Sequence, residues 1–177
     1  EPGEALIRRA AEIFEAKLGP NHSGLVPMLS SLAINRFFLQ QPAESATLLE
    51  KATKIANPRA ENIGPGAISL LCSVASAQAA TGQSAAAETS YDRALDLLQK
   101  LGRESGLEAV GILMGRGRVS LNEKDFAEAR SFYEAAKHIA ETDLGHRDIR
   151  TGLIIGDLGL IDWHEGKRAS ARRALLR

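Results

Sequence analysis

The residues of this chain that could do chemistry are few, and their spacing argues against it. The four histidines, His22, His138, His146 and His164, include no pair four apart on a helix, and no HExxH occurs. They do not read as a metal-ligand set. The one cysteine, Cys72, has no CxxC companion and reads as helix packing. No Gly-x-Ser-x-Gly elbow is present. Gly115-Arg116-Gly117-Arg118-Val119-Ser120 has the outline of a phosphate-cradling loop. It lacks the preceding strand and the final glycine, and it falls inside a helical stretch. Asp157 and Asp162 are not placed one turn apart to work as an acid and base pair. Asn21-His22-Ser23 matches a glycosylation sequon, with nothing else pointing to secretion. Lys167, Arg168, Arg172, Arg173 and Arg177 form a basic end, which reads as the solvated face of a helix. The expectation is a chain with no catalytic residue, no metal and no cofactor.

Composition supports a binding role over a reaction. The 177 residues allow one ordinary domain or one short repeat array. Twenty-two Lys and Arg balance twenty-two Asp and Glu, which leaves no charge excess for gripping nucleic acid or an anionic membrane surface. No uncharged run reaches the ~18 residues of a membrane span, so membrane insertion is not expected. The N-terminus is acidic and amphipathic, unlike a secretory leader. A single cysteine forbids an internal disulfide and fits a reducing compartment such as the cytoplasm. Aromatics are only 5%, and Ala and Leu abound, which leans towards an all-α fold.

The elements that must position these residues come from a repeat. Laid over each other, GQSAAAETSYDRAL and EKDFAEARSFYEAA match Ala87 with Ala129, Tyr91 with Tyr133 and Ala94 with Ala136, a step of 42 residues. Further steps reach Ser45, Leu49 and Ala52, then Gly3, Ile7 and Ala10, and forwards Ala171 and Leu175. A second set of columns lies upstream: Leu29/Leu71/Leu113/Ile155, Ala33/Ala75/Gly117/Gly159 and Phe37/Ala79/Leu121/Trp163. These lie four apart, a helical spacing, and the small middle residue lets two helix backbones approach.

Breaks fall at Gln40-Gln41-Pro42, Thr81-Gly82, Glu123-Lys124 and Glu165-Gly166. They fall again at Leu18-Gly19-Pro20-Asn21, Ile63-Gly64-Pro65-Gly66, Leu101-Gly102-Arg103 and Leu144-Gly145-His146. Glycine just past a helix takes the left-handed C′ position and proline cannot continue it. Each repeat is therefore a helical hairpin, helix A then helix B. Helices are expected near 3–18, 23–40, 42–57, 66–81, 83–101, 105–122, 124–143, 147–165 and 167–177, with a long loop over 57–66.

This pattern resembles the tetratricopeptide repeat (TPR). The residues that carry the likeness are Leu32-Ala33, Val74-Ala75 and Leu158-Gly159 in A helices, followed by Ser45/Leu49/Ala52, Ala87/Tyr91/Ala94 and Ala129/Tyr133/Ala136 in B helices. The usual period is about 34 residues; the extra eight add roughly one turn per helix. That length, with Leu-Gly-Pro-Asn-His at 18–22, is similar to the kinesin-light-chain type. Two departures stand out. Arg36, Gln78, Ser120 and Asp162 occupy a column where the family usually has an aromatic. Arg116 replaces an expected leucine in a glycine-rich helix A.

The resemblance implies an all-α, right-handed α-α superhelix: a TPR-type solenoid of stacked antiparallel hairpins. Its parts are a partial repeat over 1–20, repeats at about 21–62, 63–104 and 105–146, and a partial one over 147–177. A chain that starts on a B helix and stops at Arg177 reads as a piece of a longer array.

The resemblance further implies a concave groove on the A helices, lined by Ser30, Ile34, Phe37, Phe38, Cys72, Ser76, Met114, Arg118, Leu121, Asn122, Leu160, Trp163 and His164. Ala79, Ala80 and Gly156 complete the set, and Phe37 and Trp163 could instead be core. The implied function is a non-catalytic protein-protein interaction scaffold. It would hold a peptide or helix by apolar anchors, with an acidic residue meeting Arg118, and self-association through the truncated ends is a further route. The alternative is a sensor or autoinhibitory array of a larger signalling regulator.

Overall fold

The computed structural model describes residues 2–56, 66–103, 105–143, 145 and 148–175. The loop expected over 57–66 (apart from Gly66), Leu144, His146 and Arg177 lie outside the described residues.

Nine helices and no strand occur among the described residues: α1 (Pro2–Leu18), α2 (Leu25–Phe38), α3 (Pro42–Ala56), α4 (Gly66–Ala80), α5 (Ser84–Lys100), α6 (Leu107–Asn122), α7 (Phe126–Asp143), α8 (Ile149–His164) and α9 (Arg168–Leu175). α2, α4, α6 and α8 are the A helices of the repeat, and α1, α3, α5, α7 and α9 the B helices.

Local chemistry sets their ends. Pro42 opens α3, where its missing N–H is not needed. Asp125 caps α7 by accepting from the Glu128 N–H at 2.9 Å, and Asp148 caps α8 through the Arg150 N–H at 2.9 Å. Each turn from A to B closes the same way. The N–H groups of Gln41, Gln83, Asp125 and Lys167 reach back to the carbonyls of Arg36, Gln78, Ser120 and Asp162 at 2.8–2.9 Å. The residue just before each of those N–H groups (Gln40, Gly82, Lys124 and Gly166) is left-handed. This is a Schellman closure, repeated every 42 residues.

The chain forms two compact bodies, residues 1–97 and 98–177, with the boundary inside α5. In the N-terminal body α2 packs on α1, α3 and α4. Its core joins Ala11 of α1, Leu25, Val26 and Leu29 of α2, Ala52 and Ala56 of α3 and Val74 of α4; Ala33, Leu49 and Ala77 form a second cluster. In the C-terminal body α7 packs on α6 and α8, and α9 on α8. Val110, Ala129, Tyr133, Ala136, Ala140, Ile154 and Ile161 form that core. The small residues of the repeat, Ala33, Ala52, Ala94, Ala129 and Ala136, are fully buried. They bring neighbouring helices close together, the role expected from their columns.

Candidate functional site

The A helices carry the side chains the resemblance places in a groove, and the structure sorts them by burial. In the N-terminal body Ser30 is buried, its hydroxyl without a hydrogen-bond partner among the described residues. Ile34 packs beside Ala33, Leu49 and Ala77. Phe37 is half-buried and meets Phe38 edge-on at 5.9 Å, while Phe38 is 69% exposed. Cys72 is half-buried. Ser76 is exposed, and its hydroxyl lies 2.9 Å from that of Tyr91, which is buried on α5.

In the C-terminal body Met114 and Leu121 pack against the core from α6, whereas Arg118 and Asn122 are exposed. Leu160, Trp163 and His164 are exposed on α8, and His164 stacks on Phe126 at 5.1 Å. The expected set thus divides into side chains wedged between helices (Ser30, Ile34, Met114, Leu121) and side chains open to solvent (Phe38, Ser76, Arg118, Asn122, Leu160, Trp163, His164).

Two exposed residues of the same face were missed. Ile149 and Leu153 are 77% and 56% exposed, and with Gly156, Leu160 and Trp163 they form one stripe along α8 at spacings of four and three. The signal was available: α8 is apolar on two faces. One holds Ile154 and Ile161, which are fully buried, and the other is this stripe. A helix that is apolar all round needs cover on both sides.

Below the surface, the two tyrosines of the B helices find different partners. Tyr91 meets Ser76. Its repeat equivalent, Tyr133, bonds to Asp157 of α8, with Arg118 of α6 close enough to act on both. Gly117 makes room for it, since a Cβ there would stand 3.0 Å from the Tyr133 ring. Burial pushes the Tyr133 phenol above its ordinary value, and the Asp157 charge adds to this. Burial also raises the Asp157 carboxyl, against the lowering pull of the Tyr133 hydroxyl and of Arg118. Arg118 therefore already serves Asp157, and its charge is shared between the protein and whatever approaches the face.

The polar column that departs from the family pattern is a set of ties between helices. Arg36 of α2 donates to Glu4 of α1 and to Gln41, at 2.7 Å for the latter, and lies 3.4 Å from Glu44. Gln78 of α4 accepts from Ser90 of α5 at 2.8 Å and donates to Thr53 of α3 at 3.4 Å. Ser120 of α6 donates to Glu128 of α7 at 2.7 Å. Asp162 of α8 accepts from Arg130 of α7 at 2.6 Å and bonds to Ser170 of α9. Glu4–Arg36 and Arg130–Asp162 are the same pair of positions, 32 residues apart, with the charges exchanged.

Arg116, the other departure, is buried beneath Glu128 at 3.1 Å and lies over the Phe132 ring at 4.9 Å. The glycine-arginine run is therefore helix, and Arg116 is spent on packing. Among the described residues no three His, Cys, Asp or Glu side chains come together as a metal-binding group, and no helix is long and apolar enough to cross a membrane.

No family model and no curated protein sequence matches the chain. Solved structures do. BtubC (BKLC) from P. vanneervenii aligns with a TM-score of 0.76 over 97% of this chain and 68% of its own, at 18% identity. Two structures of the nearly identical TPR-like repeats of a putative kinesin light chain from Podosopora anserina align at 0.74 and 0.72. Each covers 97% of this chain, and the shares of their own chains are 81% and 82%, at 19% identity. At these identities the likeness is one of fold, and it agrees with the 42-residue step, the hairpins and the turn closures: this chain has the all-α, TPR-like fold of the kinesin-light-chain kind.

Proposed function

We propose that the chain is a non-catalytic protein-interaction scaffold, and that each body presents an apolar A-helix surface to a peptide or helix of a partner. The observation that carries this reading is the exposure of Phe38, Leu160 and Trp163 (69, 43 and 58%) at positions the resemblance assigns to the groove. Large apolar side chains left in water in this concentration mark an interaction surface. Burial returns about 25 cal/mol per Å², so two or three such anchors supply most of a micromolar affinity, about −8 kcal/mol. Arg118 adds a preference for an acidic residue in the partner, a smaller and salt-sensitive contribution. The even charge balance supports a protein partner over a nucleic acid.

Selection from a random peptide display library tests this. The recovered peptides should carry large apolar residues three or four apart with an acidic neighbour. Phe38→Ala and Leu160→Ala should weaken their binding by about tenfold or more while barely moving the melting temperature. Arg118→Ala should flatten the salt dependence. Unchanged affinity with a sharply lowered melting temperature would mean that these side chains hold the fold and nothing else.

A further inference from the structure

The stripe on α8 has a counterpart at the other end of the chain. On α1, Leu6 and Ile13 are 70% and 46% exposed. They alternate with Gly3, which is exposed, and half-buried Ala10, again at spacings of three and four. The opposite side of α1 is engaged, since Ala11 and Phe14 sit in the N-terminal core. Both stripes are bare instances of columns that are covered inside the array. Leu48 and Ile55, the repeat equivalents of Leu6 and Ile13, pack against the core. Ser30, the equivalent of Gly156, is buried, and Ile34, the equivalent of Leu160, packs beside Ala77 of α4.

The two stripes also fit each other. α8 reads large, large, small, large over Ile149, Leu153, Gly156 and Leu160; α1 reads small, large, small, large over Gly3, Leu6, Ala10 and Ile13. Laid antiparallel, the orientation that opposes the helix dipoles, one register puts Leu6 over Gly156, Ala10 under Leu153 and Gly3 under Leu160. Large against small is what two helices need to interlock. A Cβ at Gly3 or Gly156 would meet nothing within 4 Å, so both seams are open. Two copies of α8 would instead face glycine with glycine and leave that gap unfilled.

We propose that the occupant of the α8 stripe is α1 of a second copy of this chain, giving head-to-tail association. This rests on the reading of α8 as a docking surface and names what docks. A zero formal net charge removes the long-range repulsion that would oppose it. The contact joins about eleven residues of each helix, roughly 17 Å, which places it among small, weak interfaces. Because the two surfaces differ, the contact is heterologous and leaves a free stripe at each end.

Trp163, the single tryptophan, lies at the end of the stripe and reports on it. A synthetic peptide of residues 2–18, added to the full chain, should shift its emission to the blue and saturate between about 10 µM and about 1 mM. The Leu6→Glu/Ile13→Glu peptide should bind at least about tenfold more weakly. In sedimentation velocity the chain alone should grow heavier with concentration. Leu6→Glu and Leu160→Glu chains should each stay monomeric, yet their mixture should form dimers and nothing larger, since only one open α1 meets one open α8. Leu153→Glu replaces Leu160→Glu if the latter melts early. A monomer across that range with no shift of Trp163 would overturn the inference, as would association that Leu6→Glu leaves intact. If library peptides still bind in a Leu160-dependent way, only the identity of the occupant fails and the scaffold reading stands.

Discussion

Each A helix turns into its B helix through one left-handed residue, filled by glycine in two repeats (Gly82, φ 76°; Gly166, φ 79°) and by a side chain in the others (Gln40, φ 60°; Lys124, φ 64°). The left-handed conformation costs an L-residue about 1–2 kcal/mol, and glycine gives back about 0.5–1 in chain entropy. Lys124→Gly should therefore stabilise by up to about 1 kcal/mol, and Gly82→Ala should destabilise by about the same, both read from urea midpoints. Asp157 sets a second test at this scale. Its folded carboxyl is raised by burial, so the native state binds its proton more tightly than the unfolded chain does. Stability then falls as pH rises from the ordinary carboxylate value through the raised one, and levels off above it. Asp157→Asn keeps an acceptor for the Tyr133 hydroxyl and should remove that segment of the stability-pH curve, with the variant at least as stable as the parent at neutral pH.

Between elements, the polar column decides how A helices hold B helices. Arg116 is the sharpest case, because its side chain is 8% exposed while that of Glu128 is 40% exposed. Removing the partner of a buried charge costs about 3–5 kcal/mol, while replacing both members by apolar groups is close to neutral. Glu128 is partly in water, so Glu128→Ala should cost less, about 2–3 kcal/mol. Arg116→Leu restores the family's residue, and the double variant should come back to within about 1 kcal/mol of the parent. Additive losses would mean that Arg116 acts through its stacking on Phe132 and not through the ion pair.

The same elements mark how far the sequence could be read. The 42-residue step, the buried alanines and the glycine stops yield the hairpins to within a few residues, because backbone sterics and small-residue packing recur with the period. The partners of the column do not recur. Glu4–Arg36 becomes Arg130–Asp162, and Gln78 reaches Ser90 and Thr53, since any complementary pair satisfies a buried polar position. Burial of the expected groove residues escaped for a related reason: Ser30 and Ile34 lie on a helix that another covers, while their equivalents on α8 are bare.

For the whole molecule, the consequence is that damage should stay within the body that suffers it. Ile154 and Ile161, both fully buried, supply the α8 side of the C-terminal core. Removing residues 147–177 takes both away and leaves Tyr133 and Ala140 of α7 facing water, a loss of the order of several large-to-small substitutions at about 2–5 kcal/mol each. The N-terminal core is drawn entirely from residues before 97. Hydrogen exchange on the truncated chain should therefore show slow amides retained in α2, α3 and α4 and fast exchange through α6 and α7. Ala94→Leu should do the reverse. Ala94 is fully buried on α5 within the N-terminal body, and a leucine there overpacks it by about 1–3 kcal/mol, so the full-length variant should lose protection in α4 and α5 before α7 and α8. Nearest-neighbour stability is the physical basis for both outcomes. If truncation strips protection evenly from all helices, the chain folds as one cooperative block, and the two bodies are compact in space without being independent in energy.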